Sequence, residues 1–194
     1  MENELLNNTV NTEVLVIGGG AVGVAVARHF AREGAQVVLL ERESTIGSGT
    51  SSRSSGVIHA GLYYPEGSHK ERLCIEDTAR LYGYCIDKGG PFEQTGKWIV
   101  ASTGQESRLE AIHDQAVKNS VSVRRLSKHE IHRSEPELRC TAALESPSTG
   151  IIDAHYLIHS LVRDFELAGG LVHCRAEAVS VEILGDKAQT VLRD

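Results

Sequence analysis

Apolar residues run almost without a break over 13–17, recur at helical spacing over 21–33, and form a second continuous run over 36–41, with three glycines between the first run and the helical stretch. This pattern predicts a strand, a tight turn, a helix and a second strand. Continuous apolar strands of this kind fit a parallel sheet buried on both faces, so the opening reads as a βαβ unit. A simple dinucleotide fold would continue with another crossover helix. Here, nine of the ten residues over 47–56 are Gly, Ser or Thr and the tenth is Arg53, which rules out a periodic apolar helix.

Further along, the periodicity predicts helices at 68–88 and 105–119 with a strand at 97–101 between them. A short helix is predicted from Ser127, where Glu130 three residues on completes a capping box. Pro136 and Pro147 bracket a linker-like stretch. After it come a strand at 150–152, a helix at 154–168 ended by Gly169 and Gly170, and strands at 171–174 and 178–184. The order implies a first domain over 1–88 and 145–194, interrupted by the first part of a second domain over 89–144. A β-type segment at 188–192 has just begun when the sequence stops at Asp194, so the chain is expected to be a piece of a longer polypeptide.

Composition narrows the classes. With 41% hydrophobic and 24% charged residues the chain is globular, and no apolar run approaches the roughly 18 residues of a transmembrane segment. A net charge of −6 without a Lys/Arg cluster argues against nucleic acid as a partner. It does not argue against an anionic cofactor, which local dipoles and N–H donors hold. The first thirteen residues contain Glu2, Glu4 and Glu13 and no Lys or Arg, unlike a secretory or transit peptide, and point to the cytoplasm. Cys74, Cys85, Cys140 and Cys174 show no C-x-x-C spacing and read as reduced core residues.

The chemistry concentrates before residue 65. In VLVIGGGAVG, Gly18 permits the tight turn, Gly20 lets a pyrophosphate approach the backbone, and Gly23 lets helix and strand pack closely. Glu41 ends the second strand, where a carboxylate accepts from both ribose hydroxyls and repels a 2′-phosphate. Thr50, Ser51, Ser52 and Arg53 offer a second anion-binding surface, with a solvated serine loop as the alternative. His59, in GVIHAGLYY, stands among small and apolar residues and reads as a general base or as a structural histidine. His129/His132 and His155/His159 have helical spacing but no third ligand, so no metal site is expected.

Taken with Gly18 to Gly23 and Glu41, the segment TSSRSSGVIHAGLYYPEGSHKERLC resembles the FAD-dependent oxidoreductases of the D-amino-acid-oxidase-like superfamily, and within it the L-2-hydroxyglutarate dehydrogenase/oxidase group. PSTGIIDAHYLIHSL and GGLVHCRAEAVSVE extend the resemblance over nearly the whole chain. It implies an α/β fold: an FAD-binding, Rossmann-like parallel sheet of the glutathione-reductase type with a partial inserted α+β substrate domain. It further implies FAD as cofactor and oxidation of an L-2-hydroxy acid, L-2-hydroxyglutarate to 2-oxoglutarate. Gly18, Gly20, Ala21, Val22 and Gly23 would hold the pyrophosphate. Glu41, with Arg42 beside it, would hold the ribose, Thr50, Ser51 and Ser52 the pyrophosphate and flavin side, and the backbone of Val179 the adenine. His59 would be the base, and Tyr63 and Tyr64 would line the substrate pocket. The electron acceptor stays open between dioxygen, a quinone and an electron-transfer flavoprotein. Eukaryotic members of the group are mitochondrial, which with peripheral membrane association is the alternative to the cytoplasm. Competing readings keep FAD but change the substrate to an amine, an amino acid or glycerol 3-phosphate, or make the chain a non-catalytic FAD-binding fragment. A plain NAD module fits least, because the serine-rich loop replaces the second crossover helix.

Overall fold

A computed structural model describes residues 9–193; the first eight residues, with Glu2 and Glu4 of the acidic start, and Asp194 lie outside the described residues. In chain order the described residues form β1 (Val14–Ile17), α1 (Ala21–Arg32), β2 (Val37–Glu41), a 3-10 turn (Thr50–Arg53), β3 (Val57–Ile58), α2 (His69–Lys88), β4 (Phe92–Glu93), β5 (Lys97–Ala101) and α3 (Glu106–Lys118). They continue with β6 (Arg124–Leu126), α4 (Lys128–Ser134), β7 (Ala142–Ser146), β8 (Gly150–Ile152), α5 (Ala154–Leu167), β9 (Leu171–Cys174), β10 (Ala178–Leu184) and β11 (Lys187–Leu192). The chain divides into two compact units, residues 1–54 with 154–194 and residues 55–153.

The first unit is built on a parallel sheet of order β1-β2-β9, in which Val14 pairs with Val37 and Val38 with Leu171. Alternation along β2 sends Val37 and Leu39 to one face, where they meet Val24, Ala27 and Ala31 of α1 and Ile158 and Phe165 of α5. The two helices form a single layer there. Arg28 of α1 ties to Asp164 of α5 through two contacts of 2.9 Å. Phe165 is fully buried, and truncating such a side chain costs about 3–5 kcal/mol. Burial on both faces does not extend to β1: Leu15 and Ile17, which point away from the helix layer, are 37% and 52% exposed. The physical reason is that α1 and α5 cover the face carrying Val14 and Val16, and among the described residues no second layer covers Leu15 and Ile17. β10 and β11 form a hairpin closed by Gly185 and Asp186.

The second unit holds two antiparallel sheets, β3-β8-β4 and β5-β7-β6. β7 crosses the stretch that the prolines mark as linker-like. The strand, Ala142-Ala143-Leu144-Glu145-Ser146, has no β-branched or aromatic residue, and tertiary packing overrides that weak propensity. Successive residues of β7 face opposite ways, Leu144 packing with Leu109 of α3 and Ala143 with Ile131 of α4, so the strand is the centre of a helix–sheet–helix sandwich. α2 begins where Ser68 Oγ accepts from the Glu71 amide (3.1 Å) and ends at Gly89 in the left-handed region. The capping box at Ser127 and Glu130 forms as its spacing predicts. The pattern carries the first domain to residue 88 and resumes it at 145, whereas the compact units meet at 54/55 and 153/154. Residues 55–88 pack within the second unit through Ile75, which joins Ala60, Leu62 and Ala116, and β8 pairs with β3 and β4.

Candidate functional site

In the first unit the turn between β1 and α1 is shaped by what a side chain would hit. Gly18 has φ 105°, and its amide donates to the Leu40 carbonyl (2.8 Å). A Cβ on Gly23 would lie 1.9 Å from the Gly18 carbonyl oxygen, so only glycine lets α1 start this close to β1. Gly20 is the N-cap and supplies no capping side chain, and the first turn contains no carboxylate. The Ala21 amide donates to Ser51 Oγ (3.0 Å), and Val22 is 78% exposed. An anion at this helix end therefore meets N–H groups and the positive end of the dipole, with no acidic side chain of the first turn opposing it. These features fit an anionic dinucleotide.

Glu41 closes the side of the turn. Its Oε2 accepts from the Gly19 amide (2.7 Å) and its Oε1 from the Glu43 amide (2.9 Å), so one carboxylate fixes both the glycine turn and the exit from β2. The Gly19 amide escapes the sequence reading, which weighs Gly18, Gly20 and Gly23; the signal available is the middle glycine of the three in a row. Arg42 lies on the surface, 3.3 Å from Glu43. Within the serine-rich segment a 3-10 turn forms because Ser52 Oγ donates to the carbonyls of Ser48 and Gly49, both at 2.8 Å. Ser51 thus faces α1, Ser52 serves its own turn, and Thr50 is exposed. Val179 sits where a register shift between Ala178 and Ser180 leaves it without a partner in the β10–β11 ladder.

In the second unit the loop after β3 gathers His59, Tyr63 and Tyr64. Three bonds hold it from behind: Thr78 Oγ1 of α2 donates to the His59 carbonyl (3.0 Å), and the buried Asn119 Nδ2 donates to the carbonyls of Gly61 (2.9 Å) and Tyr64 (3.0 Å). Gln115 in turn donates to Asn119 Oδ1 (2.8 Å). The His59 and Tyr64 rings stand 6.3 Å apart, and those of Tyr63 and Tyr64 5.4 Å apart, edge to face. Lys97 Nζ lies 4.9 Å from the Tyr63 ring centre and donates to its hydroxyl (3.2 Å), while Lys70 Nζ lies 4.7 Å from the Tyr64 ring centre. Partial burial, and then the charges of Lys97 and Lys70, hold the His59 imidazole below its ordinary pKa, so it favours the neutral, proton-accepting form. Burial pushes the Tyr64 phenol up, keeping it protonated. Thr78, Asn119 and Lys97 carry no motif, and only the fold brings them to this loop; Lys70 lies within the segment that carries the family resemblance, with no role read for it there.

Among the described residues no group of three or more His, Cys, Asp or Glu is placed to hold a metal ion, and no helix is long and apolar enough to cross a membrane. The chain is 43% identical over 152 residues to the mitochondrial L-2-hydroxyglutarate dehydrogenase of Arabidopsis thaliana, a match covering 77% of this chain and 32% of that protein. It is 35% identical over 180 residues to the mitochondrial L-2-hydroxyglutarate dehydrogenase of Homo sapiens, covering 91% of this chain and 39% of the relative. The chain thus spans about a third to two-fifths of the length of these relatives. Among solved structures, L-α-glycerophosphate oxidase from Mycoplasma pneumoniae with FAD bound superposes with a TM-score of 0.89 at 22% identity, over 96% of this chain and 50% of that one. Glycine oxidase from Geobacillus kaustophilus superposes with a TM-score of 0.82 at 24% identity, over 95% of this chain and 51% of that one. At these identities the likeness is one of fold. The FAD dependent oxidoreductase (DAO) family model matches residues 13–194, nearly the whole chain, and the chain belongs to that family.

Proposed function

We propose that the first unit binds FAD and the second carries the substrate side of an oxidoreductase that converts L-2-hydroxyglutarate to 2-oxoglutarate. The observation that carries the cofactor half is the turn at Gly18–Gly23, open to an anion and flanked by Glu41. Gly18, Gly20, Ala21, Val22 and Gly23 hold the pyrophosphate, Glu41 and Arg42 the ribose side, Thr50, Ser51 and Ser52 the phosphate and flavin side, and the Val179 backbone the adenine. The substrate half is supported by the 35–43% identity to proteins named L-2-hydroxyglutarate dehydrogenase. FAD, when bound, supplies the two-electron acceptor for such an oxidation. The chain supplies the proton acceptor: an imidazole nitrogen of His59 takes the proton of the substrate's C2 hydroxyl, while Tyr63 and Tyr64 wall the substrate beside it. The compartment belongs to the same proposal: the cytoplasmic expectation stands against the mitochondrial names of the relatives, and fractionation of the tagged protein separates them.

The test is a titration of the purified chain with FAD, followed by flavin fluorescence and the visible spectrum. Stoichiometric binding is expected, and L-2-hydroxyglutarate added without oxygen should then bleach the oxidised flavin band. Absence of FAD binding would remove the cofactor half. FAD binding with no bleaching by L-2-hydroxyglutarate, but bleaching by an amino acid or by glycerol 3-phosphate, would replace the substrate.

A further inference from the structure

Seven arginines of the described residues, Arg28, Arg42, Arg72, Arg80, Arg124, Arg125 and Arg193, are paired with carboxylates. Lys70 and Lys97 are in none of the ion pairs of the described residues, although the chain has 26 acidic and 20 basic side chains and carboxylates are in surplus. Each of these lysines lies instead against a tyrosine ring, and Lys97, which is half-buried, also donates to a phenol. A cation–π contact contributes about 0.5–1 kcal/mol at an exposed site, comparable with an exposed ion pair, but unlike a carboxylate it leaves the ammonium charge uncompensated. Two ammonium groups are thus held at the two tyrosines beside an imidazole whose proton affinity their charges lower, with no counter-ion from the described residues.

We propose that Lys70 and Lys97 are the cationic half of the substrate site, each meeting one carboxylate of an L-2-hydroxy dicarboxylic acid whose hydroxyl is presented to His59. The inference rests on the reading of His59, Tyr63 and Tyr64 as the substrate side. It supplies what that reading lacks, because Arg53 is a single charge in the other unit and cannot hold two carboxylates. The two cations stand over two different rings whose centres are 5.4 Å apart, an arrangement suited to two separate anionic groups on one small molecule. Tyrosine faces beneath the ammonium groups limit their swing and leave an apolar strip for the methylenes that join the carboxylates.

The experiment is calorimetric titration of the chain with glutarate, an unreactive dicarboxylate, with pentanoate and inorganic phosphate as comparison ligands. The proteins are the unsubstituted chain, Lys70→Met, Lys97→Met, Lys97→Arg and the remote charge control Lys128→Met. Each ammonium–carboxylate pair lost should weaken glutarate about 10-fold or more. Lys97→Arg should recover part of the loss, Lys128→Met should match the unsubstituted chain, and pentanoate should depend on only one of the two lysines. Unchanged glutarate affinity in both methionine variants, or no glutarate binding by the unsubstituted chain, overturns the proposal; phosphate binding in preference to glutarate overturns the choice of a dicarboxylate. Bleaching of FAD by L-2-hydroxyglutarate, measured on the same proteins, separates the two levels. Bleaching that is indifferent to both lysines leaves the function standing and removes the clamp. Lysine-dependent glutarate binding without bleaching leaves the clamp standing and removes the function.

Discussion

In the first unit the turn from Gly18 to Gly23 works by leaving side chains out: an added Cβ at Gly23 meets the Gly18 carbonyl at 1.9 Å, and the groups offered to a ligand are backbone amides. In the second unit the loop from His59 to Tyr64 works by gathering side chains in, with Lys70 arriving from α2 and Lys97 from β5. One site is a shape made by six successive residues. The other is a set of charges and rings assembled across nearly forty positions. They should therefore fail in opposite ways, the first when an atom is added and the second when atoms are removed.

The largest expected effect is on the second. His59→Gln removes the proposed base but keeps a polar side chain of similar reach, and loss of a general base typically costs 10²–10⁴-fold in turnover. Flavin binding, which the proposal assigns to the other unit, should persist. Stopped-flow reduction of the bound flavin by L-2-hydroxyglutarate measures this, and a rate within threefold of the unsubstituted protein would make His59 structural. Next is the converse change in the first unit. Gly23→Ala forces the Gly18 carbonyl aside and should cost about 3 kcal/mol or more in denaturant unfolding together with FAD binding. Gly49→Ala, whose Cβ meets nothing within 4 Å, should stay within about 0.5 kcal/mol. Equal behaviour of the two alanine variants would end the claim that the turn is shaped by exclusion.

The same contrast explains what the sequence disclosed. The glycine turn, Glu41 and the cap at Ser127 were legible because each is a local rule, written in residues a few positions apart. His59, Tyr63 and Tyr64 were legible through a contiguous segment. Lys97, Thr78 and Asn119 were not, since a lysine starting a strand and an asparagine ending a helix look the same whether they face solvent or a loop far along the chain; Lys70 lies within that segment, but nothing in it marks the lysine as facing the Tyr64 ring. β7 was hidden for a related reason: its alanines become strand only because α3 and α4 pack on its two faces. The single helix layer was also out of reach, since an apolar run such as β1 states a capacity for burial on both faces and not the presence of both covers.

Smaller effects sharpen the comparison at its supports. Asn119→Ala removes the buried amide that holds the Gly61 and Tyr64 carbonyls, leaving two acceptors unpaired, and should cost about 1–3 kcal/mol in thermal or denaturant unfolding. Its counterpart is Glu41→Gln. The amide oxygen can still accept from Gly19, but the NH2 that replaces the other oxygen cannot accept from the Glu43 amide, so a stability loss smaller than that of Asn119→Ala is expected, while the loss of the negative charge proposed to meet the ribose should weaken FAD by about 10-fold. A stability loss in Glu41→Gln equal to that of Asn119→Ala would show that the carboxylate is chiefly a structural tether.

The smallest effect is a displacement in pH. His59 is held below its ordinary pKa of 6.5, first by burial and then by Lys97 and Lys70. Because the folded imidazole binds its proton less readily than the unfolded one, the unfolded chain takes up more protons in the window between the folded value and 6.5. The group's contribution to stability is therefore whole above 6.5, declines as the pH falls through that window, and levels off below the folded value. Lys97→Met and Lys70→Met should each move the His59 titration upward, followed by NMR of its ring protons, yet not fully to 6.5, since burial is the larger cause and remains. A His59 titration at or above 6.5 in the unsubstituted chain would contradict both the burial and the charge. A lowered titration unmoved by either lysine variant would assign the whole shift to burial, leaving the ammonium groups too distant to act on the imidazole or on a ligand beside it.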